Sequence, residues 1–80
     1  MPEIFRFYGF IFYFFSNEHD PIHVHVRGKN GNAKFNLCEG KFVLQSSDGI
    51  KMGDLKKIDK VIQDNTQIII QHWHKYFDED

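Results

Sequence analysis

Apolar and ionisable side chains alternate strictly in one short segment of the chain. The segment consists of Ile22, His23, Val24, His25, Val26 and Arg27. A period of two is typical of a strand, because successive side chains of a strand point to opposite faces of its sheet. We therefore predict a strand near 22–28 with its valines in a core and its two imidazoles and guanidinium on the other face.

An Asn-Gly pair follows this strand and predicts a β-hairpin. Asn30 and Gly31 suit the two-residue type I′ turn, which needs a positive φ at both loop positions. The second strand then covers 33–38. The register pairs apolar with apolar and polar with polar residues: Val26 with Phe35, Val24 with Leu37, Arg27 with Lys34, His25 with Asn36, and His23 with Cys38. A slip of one residue would move every side chain to the other face.

This register gathers the polar and ionisable side chains of the hairpin on one surface, which we call the His/Arg face. Its members are His23, His25, Arg27, Lys34, Asn36 and Cys38. Imidazole titrates near neutral pH, so one ring can accept a proton while the other donates one. We interpret His23 and His25 as the candidate general base and acid of a metal-free ribonuclease, with Arg27, Lys34 and Asn36 binding RNA phosphate. The alternative is that these residues are solvent-exposed side chains of a sheet with no catalytic or binding role.

A zinc site is another use of the same residues. His23 and His25, two positions apart on a strand, would supply two ligands, and Cys38 opposite His23 would supply a third. Residues 18–20 (Glu-His-Asp) in the preceding loop offer substitutes. The chain has one cysteine and no second ligand pair with metal spacing, so we expect no metal and no cofactor.

The remaining N-terminal half predicts three more strands. Segments 2–8 and 10–15 are rich in aromatic side chains, and 41–45 reads as a short last strand followed by a loop at 46–49.

The aromatic N-terminal strands permit two interpretations. Arg6, Tyr8 and Tyr13 would offer cations and stacking surfaces to single-stranded RNA. We favour the other interpretation, in which these strands form core and an interface, including a homodimer interface.

After residue 50 the apolar positions recur at steps of three, four and seven, which indicates helices. The stripe consists of Leu55, Ile58, Ile62, Ile69, Trp73 and Phe77. A cap signal at 64–67 predicts a break or kink near 64–66. An unbroken helix of about 25 residues would be roughly 37 Å long, which exceeds the roughly 24 Å diameter expected for so small a domain. We predict that Trp73 packs in the core with Ile58, Ile62 and Ile69.

Strands first and helices after indicate an α+β fold. We predict a single domain over 1–80 that contains a small antiparallel sheet of about five strands, with one kinked or two C-terminal helices packed on one face.

The composition limits the classes of binding partner and the cellular compartment that we expect for this protein. The 80 residues carry a formal net charge of −1, so no global basic field indicates nucleic acid, and any anion site must be local. A single cysteine excludes an intrachain disulfide and is typical of the reducing cytoplasm. The apolar start at 4–15 is interrupted by Arg6, is too short to span a bilayer and lacks the basic region of a signal peptide. We expect a cytoplasmic protein with no membrane association.

Four parts of the chain carry a resemblance to a known family. They are the start from Met1 to Phe10, the run from Glu18 to Val26 with its Pro-x-His-Val-His-Val motif, the strand from Ala33 to Phe35, and the closing Trp73, Tyr76 and Phe77. Over nearly its whole length the chain resembles a small bacterial family catalogued as a domain of unknown function, DUF4160. The resemblance implies a small cytoplasmic component of a toxin–antitoxin pair, whose partner is a small protein of the neighbouring gene. It assigns no catalytic residues.

Two main functional hypotheses remain. In the first, RNA is bound or cleaved at the His/Arg face. In the second, the chain is a non-enzymatic module whose exposed aromatic strand or sheet edge receives a protein partner. A small zinc-binding domain is the third alternative.

Overall fold

Five strands precede two helices in the computed structural model, which describes residues 3–15 and 21–77. The elements are β1 (Glu3–Phe7), β2 (Phe10–Tyr13), β3 (His23–Arg27), β4 (Asn32–Cys38), β5 (Lys41–Asp48), α1 (Met52–Asp64) and α2 (Thr66–Phe77). The strands form an antiparallel sheet in the order β1-β2-β3-β4-β5, so each strand pairs with the next one along the chain. The predicted α+β fold is confirmed. No helix within the described ranges is long and apolar enough to cross a membrane.

The hydrophobic core joins one face of the sheet to the two helices. On the sheet side, Val24 and Val26 of β3 and Phe12 of β2 are completely buried. The buried positions of the helices are Ile58, Ile62, Ile69 and Trp73. The ring of Trp73 packs against Phe14 in a T-shaped arrangement, with 5.2 Å between centroids. The predicted helical stripe and the burial of both valines are confirmed.

Asn65 separates the two helices. Its φ of −117° and ψ of 21° lie outside the helical region. Its side-chain Nδ2 donates a hydrogen bond to the carbonyl of Val61 at 2.8 Å, and the Thr66 hydroxyl donates to the carbonyl of Ile62 at 3.1 Å. These bonds satisfy carbonyl groups that the end of α1 leaves open. The predicted break is therefore confirmed, and it produces two helices.

The register of the β3–β4 hairpin differs from the predicted one. Residues 28–31 connect the strands, and the Gly28 amide donates to the carbonyl of Gly31 at 2.8 Å. The observed pairs are Arg27 with Asn32, Val26 with Ala33, His25 with Lys34, Val24 with Phe35, and His23 with Asn36. The predicted pairs are wrong by two residues. Because two is the period of a strand, each side chain still lies on its predicted face.

Close packing at Gly31 gives the reason for this difference. A Cβ atom on Gly31 would lie 2.3 Å from the carbonyl oxygen of Asp48, so glycine lets the loop touch the end of β5. The positive φ angles of a type I′ turn occur instead at residues 8–9 (54° and 80°) and 39–40 (51° and 83°). These two-residue loops join β1 to β2 and β4 to β5.

Strand β5 extends to Asp48, so the loop predicted at 46–49 is wrong. Aspartate has low strand propensity and serine is typical of turns, but here the pairing with β4 overrides both preferences. A bulge interrupts the pairing, because Lys34 faces Ser46 while the next residue, Phe35, faces Leu44. Strand β2 ends at Tyr13, two residues earlier than predicted.

Candidate functional site

The His/Arg face is the sheet surface opposite the buried valines of β3, and β3 and β4 position its residues. His23 and His25 are half-buried, whereas Arg27 is exposed. Lys34 and Asn36 are also half-buried, and they lie directly opposite His25 and His23. The structure therefore brings these five predicted residues onto one surface, although in pairs that differ from the predicted ones.

Cys38 does not join the histidines in the predicted way. It is exposed at the end of β4 and pairs with Lys41, so the prediction that it lies opposite His23 is wrong. Among residues 3–15 and 21–77, no group of three His, Cys, Asp or Glu side chains could hold a metal ion. The alternative zinc ligands at 18–20 lie outside the described residues.

Aromatic rings surround both imidazoles of the His/Arg face. The centroids of the His23 and His25 rings are 5.4 Å apart. The His25 ring lies 4.1 Å from the Phe15 ring and stacks on Tyr13 at 5.5 Å. The His23 ring contacts Trp73 in a T-shaped arrangement at 5.7 Å. Since packed neighbours restrict the rotamers of both histidines, the fold sets the distance between the two imidazoles.

Two cations accompany the histidines without a carboxylate partner in the described part of the chain. The guanidinium carbon of Arg27 lies 5.7 Å from the centroid of the Tyr13 ring, which is within range of a cation–π interaction. Lys34 lies opposite His25. The ion pairs among the described residues involve other cations, Arg6 and Lys60. Arg27 and Lys34 are therefore available to bind an anion.

Among residues 3–15 and 21–77, the acidic side chains of this sheet surface lie at its two edges and not at its centre. On β1, the Arg6 guanidinium donates a hydrogen bond to the Glu3 carboxylate at 2.9 Å. This hydrogen bond lowers the pKa of Glu3 and raises the pKa of Arg6. On β5, Asp48 faces Asn32. Within the described strands, the central pair β3 and β4 therefore carries positive charge, and the Glu3 carboxylate at the β1 edge is already bound to Arg6.

The residues considered for base stacking do not gather at one place. Tyr13 lies on the His/Arg face, opposite His25. Arg6 is bound to Glu3 at the β1 edge, and Tyr8 accepts a hydrogen bond of 2.7 Å from the Lys57 ammonium on α1. Only the Tyr13 position therefore contributes to the candidate site.

Phe15 is the residue of this surface that sequence reasoning missed. Its side chain is 48% exposed, whereas Tyr13 is only 7% exposed. The run from Phe10 to Phe15 is apolar at every position, so the pattern does not indicate which of its side chains face the core. The observed pairing of Tyr13 with His25 is the signal that assigns Phe15 to the His/Arg face, because alternate residues share a face.

Comparison with known protein families covers most of the chain. The family model with the description "Domain of unknown function (DUF4160)" matches residues 9–74. The chain belongs to the DUF4160 family. A search of curated proteins and a search of solved structures found no match. The matched residues begin in the turn before β2 and end in α2, so the DUF4160 domain includes the whole His/Arg face.

The geometry of this DUF4160 domain suits proton transfer next to a bound anion. The two imidazoles lie 5.4 Å apart, which is close enough for both rings to contact one ligand, and the Nε2 atom of His23 is buried. The Oδ1 atom of Asn36 is buried and accepts no hydrogen bond from the described residues, so it can receive one from a hydroxyl or amine of a ligand. Arg27 and Lys34 can offset negative charge on the same ligand.

Proposed function

We propose that this DUF4160 domain binds RNA on the His/Arg face and cleaves it there. The observation that carries the proposal is that two imidazoles, 5.4 Å apart, lie beside Arg27 and Lys34, two cations without an ion pair in the described part of the chain. The net charge of the chain is −1, so this positive charge is a local concentration. A row of cations and hydrogen-bond donors of this kind suits the phosphates of a nucleic acid.

In the proposed reaction, His23 acts as the general base and His25 as the general acid. His23 removes the proton of a ribose 2′-hydroxyl, whose oxygen then attacks the adjacent phosphorus. His25 protonates the 5′-oxygen that leaves. The products are a 2′,3′-cyclic phosphate and a free 5′-hydroxyl. Arg27 and Lys34 stabilise the negative charge that develops on the phosphate oxygens.

We also propose that the protein is a cytoplasmic component of a toxin–antitoxin pair. Its resemblance to DUF4160 proteins supports this role, and its single cysteine supports the reducing compartment. The small protein of the neighbouring gene would be the partner, and its binding would control RNA cleavage. Inducible expression with and without that partner, scored by growth, tests the pairing: growth inhibition that the partner does not change would contradict it.

RNA binding is tested by the fluorescence anisotropy of a short labelled RNA at increasing salt concentrations. Binding through phosphates weakens steeply with salt. Arg27→Ala should weaken binding across all RNA sequences and should reduce the salt slope by about one unit. Lys75→Ala, which removes the same charge from an exposed position of α2, is the matched control and should have no effect. Equal losses in both variants would show that the cations of the His/Arg face have no special role.

A groove between β5 and α1 supports a second candidate function, the binding of a protein partner. The groove has a volume of about 840 Å³ and is lined by side chains of both elements. Among its lining residues, Leu44 and Met52 are 42% and 68% exposed. Strand β5 also lies at the edge of the described sheet, so one of its sides pairs with no other described strand. An amphipathic segment of the neighbouring-gene protein would bury these apolar side chains.

Co-purification with that partner tests the groove. Met52→Glu should abolish co-purification and leave RNA binding unchanged, because the groove and the His/Arg face use different residues. Ile68→Glu places the same charge on an exposed α2 side chain (45%) that does not line the groove, and it is the control. Retention of the partner by the Met52 variant would remove this candidate function.

A further inference from the structure

An exposed aromatic ring stands beside the histidines of the His/Arg face. Phe15 follows the end of β2, and nearly half of its side chain is accessible. Its neighbour Phe14 is 1% exposed and packs against Trp73 in the core, so the two phenylalanines have opposite environments. The accessible ring of Phe15 is thus a feature of the His/Arg face and is not an edge of the core.

Aromatic contacts hold this exposed ring in place. The centroid of the Phe15 ring lies 4.1 Å from that of His25 and 5.6 Å from that of Tyr13. The Tyr13 ring is itself buried, and the guanidinium carbon of Arg27 lies 5.7 Å from its centroid. Tyr13 therefore places an apolar stacking surface, an imidazole and a cation around one point. A ligand that fits all three has a flat aromatic part and an anionic part, which is the composition of a nucleotide.

We propose that Phe15 is the stacking site for one unpaired nucleobase of the RNA bound on the His/Arg face. The base stacks on the accessible side of the Phe15 ring, and its phosphate lies toward Arg27 and Lys34. The bases of a duplex are already stacked on one another and are not available to an aromatic side chain, so the RNA must be single-stranded at this point. This inference rests on the proposed function and names its substrate class as single-stranded RNA.

The loss of stacking on Phe15 should affect the salt dependence of RNA binding differently from the loss of a cation. Loss of one base–aromatic stack weakens binding by about tenfold. Because stacking involves no phosphate, Phe15→Ala should weaken binding to a single-stranded oligoribonucleotide by about tenfold and leave its salt slope unchanged. Phe15→Tyr should bind like the wild type. Phe7→Ala is the matched control, since Phe7 is 38% exposed on β1, and it should have no effect.

The same oligoribonucleotide annealed to its complement is the second probe. The wild type should bind the duplex more weakly than the single strand, and Phe15→Ala should not change the affinity for the duplex. Phe15→Trp adds a direct signal, because a base that stacks on an exposed tryptophan quenches its fluorescence, while Trp73 is 2% exposed and stays shielded. Far-UV circular dichroism confirms that each variant is folded.

The outcomes separate this inference from the function on which it rests. Weaker single-strand binding by Phe15→Ala at constant salt slope supports it. If the wild type binds the single strand and Phe15→Ala binds it equally well, the stacking site is wrong and the proposed function stands. If the wild type binds neither RNA, both are wrong. If Phe15→Ala instead loses only the protein partner, Phe15 is an interface residue and the inference is also overturned.

Discussion

Trp73 connects the core to the His/Arg face, and its removal should unfold much of the protein. The Trp73 side chain is 2% exposed and packs against Phe14 at 5.2 Å and Phe77 at 4.4 Å. Truncation of a buried tryptophan to alanine costs about 3–5 kcal/mol, through lost burial and the cavity left behind. A domain of 80 residues has a total stability of about 4–12 kcal/mol at the usual value per residue. Trp73→Ala therefore removes a large part of the folding free energy.

Urea denaturation measures this loss of free energy, and thermal denaturation measures the accompanying fall in melting temperature; far-UV circular dichroism follows unfolding in both. A cost of at least 3 kcal/mol should lower the melting temperature by about 12 °C or more in a domain of this size. Tyr76→Ala is the control, because Tyr76 is on the same helix but 46% exposed, and it should cost less than about 1 kcal/mol. A soluble Trp73→Ala protein with an unchanged melting temperature would refute the packing of α2 against the sheet.

Three further predictions concern the β5 contact, the β1 edge and metal. Gly31→Ala should lower the melting temperature, since its Cβ would lie 2.3 Å from the Asp48 carbonyl, whereas Gly53→Ala in α1 meets no atom within 4 Å and should not. The hydrogen bond from Arg6 lowers the pKa of Glu3 in the folded protein. The pair therefore stabilises the fold at pH values above the ordinary pKa of a glutamate. This stabilisation is lost as the pH falls through the lowered pKa of Glu3 and its carboxylate becomes protonated. An NMR titration should show a higher pKa for Glu3 in Arg6→Ala, and an unchanged pKa would contradict the pairing. Elemental mass spectrometry of untagged protein should find less than one equivalent of zinc, and a full equivalent would favour the metal alternative.

The faces of the β3–β4 hairpin could be predicted because they depend only on a period of two. Strict alternation from Ile22 to Arg27 assigns each side chain to the core or to the opposite face, and a shift of two residues changes none of these assignments. The exact partners could not be predicted, because they depend on the loop. Local preference indicates a turn at Asn30-Gly31, but Gly31 is needed where the loop touches the end of β5.

The aromatic part of the candidate site could not be predicted for a different reason. Phe10 to Phe15 is apolar throughout, and an apolar side chain on either face gives the same pattern. The pairing of Tyr13 with His25 across β2 and β3 decides which residues accompany the histidines. That pairing depends on which strands are neighbours in the sheet, and the sequence of a short segment does not indicate its neighbours.

The charged residues of the site could also be predicted only in part. The sequence indicates that Arg27 and Lys34 share a face with the histidines. It does not indicate that Arg6, a third cation of the sheet, is already bound to Glu3. Whether a cation can bind a ligand depends on which carboxylates the fold brings near it, and this is known only once the strands are paired.

Cleavage of RNA by the wild type and by the double variant His23→Ala, His25→Ala tests the central claim most directly. The wild type should release a 2′,3′-cyclic phosphate with a bell-shaped pH–rate profile, since one imidazole must be neutral and the other protonated. The double variant should be folded and lose at least about 100-fold in rate, the lower range for general acid–base catalysis. His72→Ala, at an exposed position of α2, should cleave like the wild type when purified in the same way. Cleavage by the double variant at the wild-type rate would contradict the assignment of the His/Arg face as an active site.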